Sequence, residues 1–127
     1  MAKVKLGDRP KTFKRMVKFP MLDGTEGAIE MIYTYRTRTE YGKMIDEIIK
    51  ASGAATPPGD SFSMEAMMSA NSESAADHIM KAAEGWNLED QAFSRENVTQ
   101  LADEIPAAAA AIIEGYRIGC TEGRSGN

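Results

Sequence analysis

One cysteine, one histidine and one tryptophan in 127 residues leave this chain poorly supplied with the groups from which most catalytic and metal sites are built. Cys120 alone can form no intramolecular disulfide and no cysteine-based zinc site, which fits a reducing compartment. It stands near the C-terminal end of a helical segment, where the local field raises a thiol pKa, the wrong direction for a nucleophile. His78 lies beside Asp77 in a helical stretch, and adjacent residues of a helix point in different directions, so the two make no dyad by themselves. Gly53 and Gly59 lack the following Lys-Ser/Thr of a phosphate-binding loop. We therefore expect no catalytic, cofactor or metal site. Apolar runs fall short of the roughly 20 residues of a membrane span, and the N-terminus lacks the apolar core of a secretory signal. The expectation is a soluble, intracellular protein.

Charge is unevenly spread. Residues 1 to 50 carry 11 Lys+Arg against 7 Asp+Glu, and residues 51 to 127 carry 4 against 12, so the halves stand at +4 and −8. Such polarity favours head-to-tail contact between copies, or docking of the acidic half on a basic partner. The first 18 residues hold Lys3, Lys5, Arg9, Lys11, Lys14, Arg15 and Lys18 against Asp8 alone. Only Phe13 and Phe19 interleave with them, too few for a base-stacking platform, and an acidic chain is a poor match for nucleic acid. The plainer reading is a solvated N-terminus followed by the polar side of a strand.

What the sequence does contain is scaffold. From Lys11 to Ile49 it reads as a β-hairpin feeding an amphipathic helix. Val17, Phe19 and Met21 alternate with Met16, Lys18 and Pro20, and Ile29, Met31, Tyr33 and Tyr35 with Glu30, Ile32 and Thr34. Between them Gly24 and Gly27 offer the positive φ of a tight reversal around Asp23-Gly24. Thr37 and Glu40 form a capping box, after which Tyr41, Met44, Ile45, Ile48 and Ile49 make one apolar stripe. A lone hairpin is marginal in water, so we expect this helix to cover one of its faces and Val4 to Leu6 to add a short third strand. Met16 and Ile32 give the second face apolar character that a chain of this size need not bury, a hint of self-association.

Residues 52 to 63, with Pro57-Pro58 and two glycines, read as a loop or linker. Met64, Met67 and Met68 follow, as ordinary core or as an adaptable apolar surface. The spacing predicts a helix over about Ser74 to Glu84, stopped by Gly85, with Trp86 as an edge anchor. Ser94 caps a helix whose buried stripe is Val98, Leu101, Ala102 and Ile105, with Phe93 and Val98 as a hydrophobic staple. Pro106 opens the last helix, Ala107 to Gly119, whose five consecutive alanines permit close helix packing. We expect a disordered tail from Thr121 to Asn127. The fold class is α+β in a single domain over residues 1–127. A β-hairpin, or three strands, packs on an amphipathic helix in residues 1–51, and a mostly helical part occupies 64–120.

Three blocks in order carry a resemblance. They are Lys5-Leu6-Gly7 with Arg9-Pro10-Lys11-Thr12-Phe13-Lys14; the hairpin with Tyr35-Arg36-Thr37-Arg38-Thr39-Glu40; and Gly85-Trp86-Asn87-Leu88 through Phe93-Ser94 and Ile105-Pro106 to Ile112 and Tyr116. The chain resembles the tail assembly chaperones of long-tailed phages and prophages. That resemblance implies a non-enzymatic protein of the infected bacterial cytoplasm, absent from the mature virion. It would bind the long helical tape measure protein, keep it soluble and help recruit tail tube subunits. Oligomers are a further expectation. The residues themselves leave open a structural tail or head-tail joining protein, or a small DNA-binding regulator using the basic arm. The candidate partner-binding residues are Met16, Ile32 and Thr34 on the strands, and Ala109, Ala110 and Ile113 on the last helix.

Overall fold

The computed structural model describes residues 6–7, 9–51 and 64–122. Its elements run β1 (Thr12–Pro20), β2 (Glu26–Thr34), α1 (Arg38–Ala51), α2 (Met64–Ala82), β3 (Ala83–Trp86), α3 (Arg95–Glu104) and α4 (Pro106–Glu122). The class is α+β, as expected, with a three-stranded antiparallel sheet in the order β1-β2-β3.

The hairpin closes through a three-residue loop. Gly24 N–H donates to the Met21 carbonyl at 3.0 Å and Met21 N–H to the Thr25 carbonyl at 2.7 Å. Gly24 takes the positive φ, 89°, and Asp23 holds the turn by accepting from the Thr25 N–H and hydroxyl. Gly27, expected to share that role, lies instead within β2. A Cβ there would come within 2.6 Å of the Phe19 ring, so close packing rather than backbone freedom suits glycine to the position.

The capping box forms in full. Thr37 N–H donates to Glu40 Oε1 at 2.9 Å and Glu40 N–H to Thr37 Oγ1 at 3.2 Å, and the Thr37 N–H holds the Glu40 carboxyl below its usual range. Of the apolar stripe on α1, Met44 is buried, and Tyr41, Ile45 and Ile48 are half-buried against the core, whereas Ile49 is exposed.

The helix laid across the strands is not α1. It is α4 that lies on β1 and β2, while α1 packs on α4 and α2. The reason is the small-residue face of α4. Ala108, Gly115 and Gly119 are buried along it, and a Cβ on Gly115 would stand 3.0 Å from the Tyr33 hydroxyl and 3.3 Å from Arg15. Such a face approaches a sheet more closely than the bulky stripe of α1 can.

The third strand also differs from expectation. Val4 lies outside the described residues, and Leu6 sits exposed in a turn. Strand β3 comes instead from Ala83–Trp86, where Ala83 and Glu84 were expected to finish a helix. Alanine favours helix, but the free edge of β2 offers ladder bonds, and Met31 pairs with Trp86 and Ile32 with Gly85. Helix α2 runs ten residues further toward the N-terminus than the expected start at Ser74. The expected linker, residues 52–63, lies outside the described residues, as do the side chains of Met67 and Met68; Met64 is exposed. Thr121 and Glu122, expected in a disordered tail, belong to α4, and 123–127 lie outside the described residues.

The core lies between the sheet and the helices. Val17, Phe19, Ile29, Met31 and Tyr33 meet Ala76 and Ile79 of α2, Val98 and Leu101 of α3, and Ile112 and Tyr116 of α4. Ser94 caps α3 as expected, accepting from the Asn97 N–H at 3.2 Å, and the Trp86 indole N–H is satisfied by the Gln91 carbonyl at 2.7 Å.

The phenol of Tyr116 joins these parts. Its hydroxyl donates to the Thr34 carbonyl at 2.8 Å and accepts from Arg36 Nη1 at 2.8 Å, and the same Nη1 reaches the Lys81 carbonyl in the last turn of α2. Its ring neighbours Phe13, Tyr33 and Tyr41. Burial pushes the Tyr116 and Tyr33 phenols far above their ordinary pKa, so both stay neutral donors. Tyr116→Phe leaves the Thr34 carbonyl without this donor and should cost about 1 to 3 kcal/mol in urea unfolding. Unchanged stability would refute the linking role.

Candidate functional site

With Val17 and Phe19 turned to the core, the alternate residues of β1 face out, and antiparallel register decides what lies beside each. Thr12 stands opposite Thr34, Lys14 opposite Ile32, Met16 opposite Glu30 and Lys18 opposite Ala28. Gly85 of β3 lies beyond Ile32, where a Cβ would meet Ile32 Cδ1 at 3.6 Å. The edge is extended past β3 by Asn87, whose side-chain oxygen accepts from the Glu30 N–H at 2.9 Å and whose own N–H donates to the Glu30 carbonyl at 3.1 Å.

Helix α4 meets the sheet through its inner side, at Tyr33 and Arg15, and the outward residues Lys14, Met16 and Lys18 of β1 are exposed. Met16 is 41% exposed, Lys14, Lys18 and Ala28 are exposed, and Ile32 is half-buried. Met16 and Ile32 are thus diagonal neighbours on this face, Met16 directly opposite Glu30 and Ile32 directly opposite Lys14. A partner crossing this face would meet apolar side chains interleaved with charges of both signs.

The structure brings three of the candidate residues together here: Met16, Ile32 and Thr34 share the open face. Ala109, Ala110 and Ile113 lie on α4, on the other side of the sheet. Ala109 is buried in this chain's own core, Ala110 is exposed and Ile113 half-buried. Part of the basic N-terminal segment is engaged internally. Arg9 pairs with Glu40 at 3.3 Å and lies over the Tyr35 ring at 5.7 Å, while the Arg15 side chain runs against α4. Lys14 and Lys18 were legible as outward residues from the alternation alone. Asn87 was missed, because Gly and Asn are depleted in strands and Trp86 alone gave little sign of one.

The two side chains weighed for chemistry are placed as follows. Cys120 is buried, and burial is the main reason its thiol pKa lies above the ordinary value. His78 is half-buried on α2; its Nε2 has no hydrogen-bond partner among the described residues, and burial lowers its pKa. Among the described residues no group of three or more His, Cys, Asp and Glu side chains could hold a metal ion, and no helix is long and apolar enough to cross a membrane.

The family model for phage tail assembly chaperones matches residues 1–127, the whole chain. The chain belongs to this family. Neither the curated proteins nor the solved structures searched contain a match. The role of the family lies in tail assembly rather than in catalysis, and the chaperone therefore works through contacts with phage tail proteins.

Two predictions follow from this geometry. If the outer face is surface and not core, Met16→Thr should change unfolding free energy by no more than about 0.5 kcal/mol, while Val17→Asp, one residue on, should prevent folding. A circular-dichroism melt of each variant decides, and comparable losses in both would show that the face is covered. For His78, the folded-state pKa lies below the ordinary value near 6.5, so the unfolded chain binds the proton first. Stability should therefore fall as pH drops through about 6.5. Urea midpoints at pH 7.5 and 5.5 should differ in the wild type and differ less in His78→Asn.

Proposed function

We propose that this chaperone binds the tape measure protein of its phage through the open face of the sheet and helps bring tail tube subunits to it. The supporting observation is the grouping of Met16, Ile32 and Thr34, flanked by Lys14 and Lys18, on a face that no described helix covers. A long helical chain exposes apolar stripes before the tube encloses it. A small protein whose open strand face interleaves apolar and charged side chains can lie along such a stripe and shield it from aggregation. Many weak copies side by side would hold the tape measure far more firmly than one, and the +4 and −8 halves give neighbouring copies a means of lining up. On this reading the protein acts in the host cytoplasm, leaves the tail as tube subunits replace it, and is absent from the finished particle.

Co-expression with the tape measure protein tests this. Wild-type chaperone should keep the tape measure soluble in a stable complex, and Lys14→Glu combined with Met16→Asp should weaken that complex at least about tenfold. Mass spectrometry of purified particles should find no chaperone. A complex equally strong with the double variant would move the binding surface elsewhere, and chaperone in particles at stoichiometric level would make it a virion component.

A further inference from the structure

A second feature lies between the end of β3 and α3. It is a concavity of about 190 Å³ walled by Trp86, Leu88, Leu101 and Ile105, with Gln100 and Glu104 at its rim. We propose that it receives a single arginine or lysine side chain presented by a protein partner.

Size sets the first limit. Sites for drug-sized ligands run from about 300 to 1,000 Å³, so this one suits one long side chain better than a free small molecule. The hydrogen-bonding character of the wall sets the second. The only donor of Trp86 is given to the Gln91 carbonyl at 2.7 Å. The Asn97 amide donates to the Ala92 carbonyl at 2.8 Å, and the Gln100 amide to Glu104 Oε2 at 2.8 Å. The Trp86 indole N–H and one N–H of each of the Asn97 and Gln100 amides are thus already engaged within the protein, and the rim presents the Glu104 carboxylate. Arginine and lysine heads carry donors and no acceptor, which is the complement of such a rim.

Charge points the same way. No Lys or Arg lines the concavity. The three cations of residues 64–122, Lys81, Arg95 and Arg117, are ion-paired with Glu47, Asp77 and Glu114. Residues 84–104 carry Glu84, Glu89, Asp90, Glu96, Asp103 and Glu104 against Arg95 alone, so the segment's net field favours a cation over an acidic side chain. The walls then suit the rest of the ligand. Leu88, Leu101 and Ile105 pack an aliphatic stem, and the indole of Trp86 attracts a cationic head.

Trp86 is the sole tryptophan, so its fluorescence reports on this site in the intact chain. The probe is the capped pentapeptide Ala-Ala-Arg-Ala-Ala, compared with the same peptide bearing norleucine in place of arginine. Saturable change in Trp86 emission with the arginine peptide, absent with norleucine and declining with added salt, is the expected result. Glu104→Gln keeps the shape of the rim and should weaken binding about fivefold. Equal binding of both peptides would make this an ordinary apolar dimple and overturn the proposal, and so would equal binding by Glu104→Gln. Salt dependence in the wild type gives a reading even if that variant folds poorly. If emission changes with protein concentration alone, together with dimer formation in sedimentation, a second copy fills the site and a foreign partner is excluded. The assay contains no tail protein, so it stands or falls separately from the sheet-face reading.

Discussion

The phenol of Tyr116 bridges segments that are remote in sequence. Through its hydroxyl it meets the carbonyl that ends β2 and the guanidinium of Arg36, which in turn caps the last turn of α2. Through its ring it touches Phe13 on β1, Tyr33 on β2 and Tyr41 on α1. Buried polar groups have few alternatives to the partners they find, so this network specifies one arrangement of α4 against the sheet. Tyr33 adds a parallel tie by donating to the Ile112 carbonyl at 2.7 Å. Together the two tyrosines fix which side of the hairpin is inside.

That choice of side has a functional consequence. Once α4 has taken the inner face, the pleat obliges Lys14, Met16 and Lys18 to point away from the core, and their partners across the ladder follow. No described helix then covers Met16 and Ile32. The open face is therefore the complement of the core, and a change of one residue in register would exchange the two. The helical half stands apart electrostatically. Its cations are neutralised in ion pairs while its remaining carboxylates face outward, so the molecule presents a mixed, partly basic sheet at one side and an acidic surface at another.

Much of the local structure was legible because it depends on short-range chemistry. The Asp23-Gly24 reversal, the Thr37/Glu40 box and the Ser94 cap each involve residues within a few positions of one another, and each forms as read. The alternation in β1 and β2 likewise predicted which residues face the core. The misreadings share a cause of the opposite kind. Ala83 and Glu84 look helical until the edge of β2 is available to pair with them. Gly27 looks like a turn residue until the Phe19 ring is seen to occupy the space beside it. The stripe of α1 looks like the cover for the hairpin until the narrower face of α4 competes for the same position.

By itself the sequence determined the hairpin, α1, α3 and α4 and the inward or outward sense of the hairpin residues, since periodicity, caps and turns are properties of neighbours along the chain. It also carried the family, through blocks spread over its whole length. Only the tertiary structure decided that α4 rather than α1 lies on the sheet, that the third strand is Ala83–Trp86, and that Met16, Ile32 and Thr34 share one open face while Ala109 is core. Those outcomes turn on how closely two distant surfaces can approach and which buried hydroxyl finds which carbonyl. Distances of that kind exist only once the chain has folded.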